Sequence, residues 1–185
     1  MNQILFSKIQ KSSAHTQNRI ENGNFVVENP DLVQDLVVFC FESDNKFHIR
    51  ACCILEKVFE IDLDLSYPYL DFIAHNIHKI KNDSAIRSLS RFIKFLAQKN
   101  SQKNTNNQPI LSAFQHEKFT EAAFDWLISD YRIAVKANAI YMLFELGKNT
   151  DWIYPELKMI LEQTTNPSPG YKVVVRNVLE KLHKN

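Results

Sequence analysis

The sequence predicts an all-α protein: a right-handed α-α superhelix, or solenoid, of about four helical hairpins with capping helices at its N-terminus. Three observations carry this. Only three glycines and six prolines occur in 185 residues, too few for the many turns of an all-β design. Apolar residues recur at the three-four spacing of a buried helix face. An apolar-basic pair also returns at intervals of 37, 49 and 40 residues, close to the period of two-helix repeat arrays.

Taken in order, residues 1–29 are the least regular and read as an N-terminal cap. Residues 3–10 form one or two helical turns, and 13–22 a second short helix stopped by Gly23. Asn29 and Pro30 then read as N-cap and first helical residue. The helix they open carries Leu32, Val33, Leu36, Val37 and Cys40 on one face. Asp44 and Asn45 turn the chain into a partner helix over 47–60. A second hairpin pairs a helix from Tyr67–Pro68 to Ile80 with one over 84–97, the turn lying at Asn82 and Asp83. These two hairpins occupy residues 30–98. Residues 99–108 (KNSQKNTNNQ) are polar and of low complexity, and read as a flexible loop. Residues 109–185 hold two further hairpins. The third pairs 117–128 with 132–146, Asp130 serving as cap and Gly147 as C-terminal stop. The fourth pairs 151–162 with 171–182, with a kink and turn at 166–170. All of this makes one domain over 1–185.

Register supports the repeat. Aligning the second helices on Arg50, Arg87, Lys136 and Arg176 places Ile49, Ile86, Val135 and Val175 just before them. Three of four residues are apolar at each of three further positions: Cys52, Leu89 and Val178; Leu55, Phe92 and Tyr141; Ile93, Met142 and Leu182. Prolines agree, because Pro30, Pro68 and Pro155 sit at or near first-helix starts and none falls inside an expected second helix, where it costs about 3 kcal/mol.

Composition narrows the function classes. A net charge of +1 gives no global attraction to nucleic acid or membrane. No apolar run approaches the roughly 20 residues of a membrane span. The N-terminal apolar run is too short for a signal peptide. Cys40, Cys52 and Cys53 lack zinc-site spacing and read as reduced thiols, so the expected location is cytoplasmic.

The apolar-basic pairs and the segments IRACCIL (49–55), IRSLSRFIKFL (86–96), AVKANAIYMLFEL (134–146) and YPEL (154–157) resemble HEAT repeats. Their order is similar to that of a family of small bacterial HEAT-repeat proteins, over about residues 30–183. The resemblance implies a helical solenoid and no particular reaction. Some members carry an adenylosuccinate lyase label. This chain is far too short for it and lacks the glycine-serine-serine loop of that superfamily.

The second helices hold the candidate site. Their segments contain 14 basic and 7 acidic residues, a formal +7 that leaves −6 for the rest of a +1 chain. Arg50, Arg87, Arg91, Lys94, Lys136 and Arg176 therefore read as candidate binding residues on a concave face. Arg87, Arg91 and Lys94 lie at i, i+4 and i+7 with few local acids. Two readings of these cations stay open: a groove for an anionic ligand, or a ladder of ion pairs between hairpins, with Asp44, Asp83 and Asp130 placed to receive them.

Two other constellations weigh less. Asp71, His75 and His78 share a helix face but fall short of the four ligands of a structural zinc site, so no metal is expected. Trp126, Asp130, Arg132 and Trp152 are similar in type to the groove residues of HEAT-like alkylpurine DNA glycosylases, although Trp126 sits at an apolar core position. No catalytic triad or glycine-rich phosphate loop occurs, and no cofactor is expected. The expected function is a non-enzymatic binding scaffold or adaptor for a protein or peptide. The alternative is a protein of the DNA-alkylation-repair type that holds DNA in a basic groove.

Overall fold

The computed structural model describes residues 2–13, 15–104, 109–164 and 168–184, all of them helical or in turns and connections. The chain divides between Phe92 and Ile93 into two compact units.

In the first unit, α1 (Gln3–Lys11) begins where the Asn2 side chain accepts the amides of Ile4 and Leu5. It is followed by α2 (Thr16–Val27), a 3₁₀ turn Pro30–Leu32, α3 (Val33–Cys40) and α4 (His48–Ile61). α4 is the hub, packed by α1, α2 and α3. A 3₁₀ stretch Leu63–Tyr69, α5 (Leu70–Asn76), a 3₁₀ turn Ile77–Lys79 and the N-terminal part of α6 (Asp83–Asn104) complete it. Phe59 of α4 and Phe92 of α6 are fully buried, with ring centroids 4.7 Å apart. Such a pair contributes about 1 kcal/mol beyond its burial.

In the second unit, α7 (Ala113–Ile128) opens on a capping box in which Ser112 and Gln115 satisfy each other's backbone amides. α8 (Ile133–Leu146) is the hub here, packed by α7, α9 (Ile153–Glu162) and α10 (Pro169–Leu182). Ser168 caps α10 and Pro169 takes its first position.

The structure corrects several local expectations and changes the physical basis of two others. Asp130 caps no helix, since Ser129 is the C-cap of the helix before it and Arg132 the N-cap of the next. Gly23 does not stop α2; the helix continues to Val27. A Cβ there would lie 2.8 Å from Lys57 Cβ, so the glycine serves the close approach of α2 to α4. Asn29 does precede Pro30 at the N-cap position, but of a 3₁₀ turn and without a side-chain cap bond, its amide donating back to the Phe25 carbonyl at 2.8 Å. The expected helix from Tyr67 to Ile80 is broken into 3₁₀, α and 3₁₀ pieces around Pro68, with His75 and Asn76 side chains bonding carbonyls four residues earlier. Gly147 does end α8, but at φ −67°, so backbone freedom is not its use. A Cβ would meet Tyr154 Cε1 at 2.3 Å, and the Tyr154 ring needs that space to lie on Phe144.

A further correction concerns the polar stretch 99–108. Residues 99–104 continue α6, and 105–108 lie outside the described residues, as do 166 and 167 of the expected turn at 166–170, of which Pro169 and Gly170 already belong to α10. Asn100 and Ser101 are buried. The Asn100 side-chain oxygen accepts the amides of Ile110 (2.8 Å) and Leu111 (3.0 Å), and the Ser101 hydroxyl donates to Glu145 at 2.6 Å. Buried polar groups with partners replaced the apolar pattern a sequence search recognises.

Candidate functional site

The cations of the second helices are the first place to look. Arg50, on α4, donates to the Gln10 carbonyl at the end of α1 and lies over the Phe47 ring. It thus closes one of the carbonyls that a helix end leaves without an intrahelical partner. Arg91, on α6, reaches back to α4, with Nη1 3.2 Å from Glu56 Oε1 and Nη2 3.1 Å from Glu60 Oε1. Arg87, half-buried, precedes Arg91 by one turn on α6. Lys94 lies over the Phe95 ring at 4.5 Å. Lys136 is half-buried on α8, and Arg176, exposed on α10, faces Glu180 at 3.9 Å.

Two of these residues therefore tie one helix of the first unit to another. The carboxylates that match Arg91 belong to the preceding second helix, not to the turn aspartates that the sequence pattern nominates. Metal-ligand geometry is lacking at Asp71, His75 and His78: among the described residues no group of three or more His, Cys, Asp or Glu is placed to hold a metal.

The four-residue aromatic and charged constellation separates. Trp126 is 4% exposed and packs in the core, whereas Trp152 is 55% exposed. Trp152 stacks on Phe124, with centroids 5.6 Å apart and planes 21° from parallel. It stands at the rim of a groove of about 530 Å³ that is half open to solvent. Trp126, Asp130 and Arg132 are not among the described residues that line it.

The groove is built from three short pieces of sequence. α7 supplies one wall, because Ala113, His116, Glu117, Thr120 and Glu121 recur at helical spacing on one face. The connection from α8 to α9 supplies Asn149, Thr150 and Trp152 opposite. Asn100 and Leu111 close one end, held together by the Asn100 hydrogen bonds already described.

Most of the polar lining is committed to helix structure. The Ser112 hydroxyl caps α7. Thr120 donates to the His116 carbonyl at 2.8 Å, and His116 Nε2 lies 3.2 Å from the Leu146 carbonyl. That contact requires the proton on Nε2. Glu117 and Glu121 are exposed on the same wall. Lys118 pairs with Glu121 at 2.7 Å, and this bond raises the ammonium's pKa above its usual value. What faces the groove is thus an indole ring and two carboxylates.

Of these residues, sequence reading singled out Trp152 alone. Glu117 and Glu121 look like ordinary solvated helix positions, and Asn149–Thr150 like an ordinary turn. The available signal was a tryptophan beside a helix start, flanked by Asp151, with Pro155 and Glu156 rather than core residues one turn on.

Fold and site together define an all-helical protein with an aromatic-rimmed groove, and no helix long and apolar enough to cross a membrane occurs among the described residues. Comparison with protein-family models, with curated proteins and with solved structures finds no match to the chain.

Proposed function

We propose that this chain is a non-enzymatic binding module of HEAT-like hairpins in a right-handed solenoid, and that it engages a protein partner through the groove along α7. The observation that carries the reading is Trp152: a large aromatic kept 55% in water, oriented by Phe124, beside a concave surface. Rigid aromatics at the rim of a groove are the residues that dominate protein recognition when buried. The groove, about 530 Å³, is open rather than enclosed. It suits a segment of polypeptide laid across it.

The hub arrangement fits a scaffold. In each unit one second helix is packed by its neighbours on several sides, which makes a rigid support for a surface made of turns and first helices. Unpaired thiols at Cys40, Cys52 and Cys53 support the cytoplasmic placement read from the sequence. The DNA-binding alternative draws less support. It needs cations turned outward, and Arg91, central to the Arg87–Arg91–Lys94 face, is matched by two carboxylates.

The test is site-specific photocrosslinking. A photoreactive phenylalanine analogue replaces Trp152 in one variant and Lys172, exposed on α10, in another. A discrete crosslinked protein band from position 152 and none from 172 is the expected result. Equal labelling from both positions, or none from either, removes the groove reading.

A further inference from the structure

We propose that the groove along α7 takes a lysine- or arginine-bearing segment of its partner, the cationic head seated between the Trp152 ring and the Glu117–Glu121 edge. This rests on the groove reading above and adds the chemistry of the occupant.

Charge gives the first argument. The described lining residues include two carboxylates, Glu117 and Glu121, and neither a lysine nor an arginine. The two stand one helical turn apart on α7, both exposed. Lys118 engages Glu121 but does not line the groove. The local field therefore favours a cation, although the chain as a whole is +1.

The indole gives the second. One Trp152 face is occupied by the near-parallel Phe124 ring, and over half of the residue is still solvated. A guanidinium or ammonium over the free part of the ring is attracted by its negative face, and Trp is the best ring for this. Because Phe124 already orients the indole, little side-chain freedom is lost on binding.

The remaining lining fits a peptide better than a free cation. Pro109, Leu111 and Ala113 give an apolar end, while Asn149 and Thr150 offer hydrogen-bonding groups along the opposite wall. A basic residue with an apolar neighbour satisfies both parts at once. A lone amine or guanidine reaches only the carboxylates and the ring.

The experiment is a binding selection. Short synthetic peptides randomised over Lys, Arg, Glu, Leu, Ser and Gly are selected against the purified full chain. The best are then titrated against wild type, Trp152→Ala, Trp152→Phe and the Glu117→Gln/Glu121→Gln pair. Circular dichroism melts check that each variant is folded. Selected peptides should carry Lys or Arg beside Leu and weaken with salt. Trp152→Ala should lose about tenfold or more in affinity, Trp152→Phe less, and the double Gln variant should lose the preference for Lys or Arg over Leu.

Peptides that depend on Trp152 but show no basic enrichment would overturn this inference and leave the groove reading standing. No selected peptide, or binding indifferent to Trp152→Ala, would remove both. Lysine amide or arginine amide binding as tightly as the best peptide would overturn the polypeptide part of the assignment.

Discussion

Arg91 Nη1 stands 3.2 Å from Glu56 Oε1, and the Glu56 side chain is only 2% exposed while that of Arg91 is 38% exposed. The pair joins α6 to α4. Neither Glu56 oxygen has a well-aligned hydrogen bond, so the arginine charge is the main compensation for a carboxylate removed from water. Removing one member of a buried pair strands the other, at about 3–5 kcal/mol. Because Arg91 is more than a third exposed, solvent screening lowers the expected cost of Arg91→Ala to about 2 kcal/mol. Glu56→Gln in the same chain should restore most of it. Urea unfolding of the two single variants and the double variant measures this. A double-variant loss equal to the sum of the two single losses would show that the pair contributes nothing.

Asn100 carries the second prediction. Its buried side chain holds the amides of Ile110 and Leu111 at 2.8 and 3.0 Å. Leu111 is itself 5% exposed, so water cannot easily replace the lost acceptor. Asn100→Ala should cost about 1–3 kcal/mol, and Asn100→Asp, which keeps the acceptor, should cost less. Melting temperatures of the two variants decide it. An unaffected Asn100→Ala protein would mean that the start of the 109–112 connection is not anchored by this residue.

The third prediction concerns His48 and Cys52, buried on α4. Interaction with the Cys52 side chain raises the imidazole above its usual value of 6.5, against the opposing effect of burial. The Cys52 thiol is lowered to about 7, first by the Cys40 thiol and then by His48. A raised histidine contributes stability in full below 6.5, and that contribution fades as the pH rises through its folded value. In Cys52→Ala, the histidine titration followed by NMR should move down toward its usual value. A His48 titration unchanged by Cys52→Ala would refute the coupling.

Much of the helical framework was legible because it is written in local pattern. The faces through Leu36, Val37 and Cys40, and through Val135, Ala139 and Met142, are apolar at helical spacing and are buried. The second helices α4 and α8 were located within about one residue for the same reason. Where burial used polar partners, as at Asn100 and Ser101, pattern failed, since a satisfied buried amide looks in sequence like a solvated one. Gly23 failed differently: its place inside α2 depends on Lys57, 34 positions away.

The candidate site divides along the same line. Sequence by itself determined the helical class and the excess of cations on the expected second helices. It left open whether those cations face a ligand or each other's helices. Only the tertiary structure decided that Arg91 meets Glu56 and Glu60, that Arg50 meets the end of α1, and that of two tryptophans Trp126 is interior and Trp152 solvent-facing. The reason is physical. A helix forms from residues three and four apart, whereas the partner of a charge and the exposure of a ring are set by side chains tens of positions distant, brought near only when the helices pack.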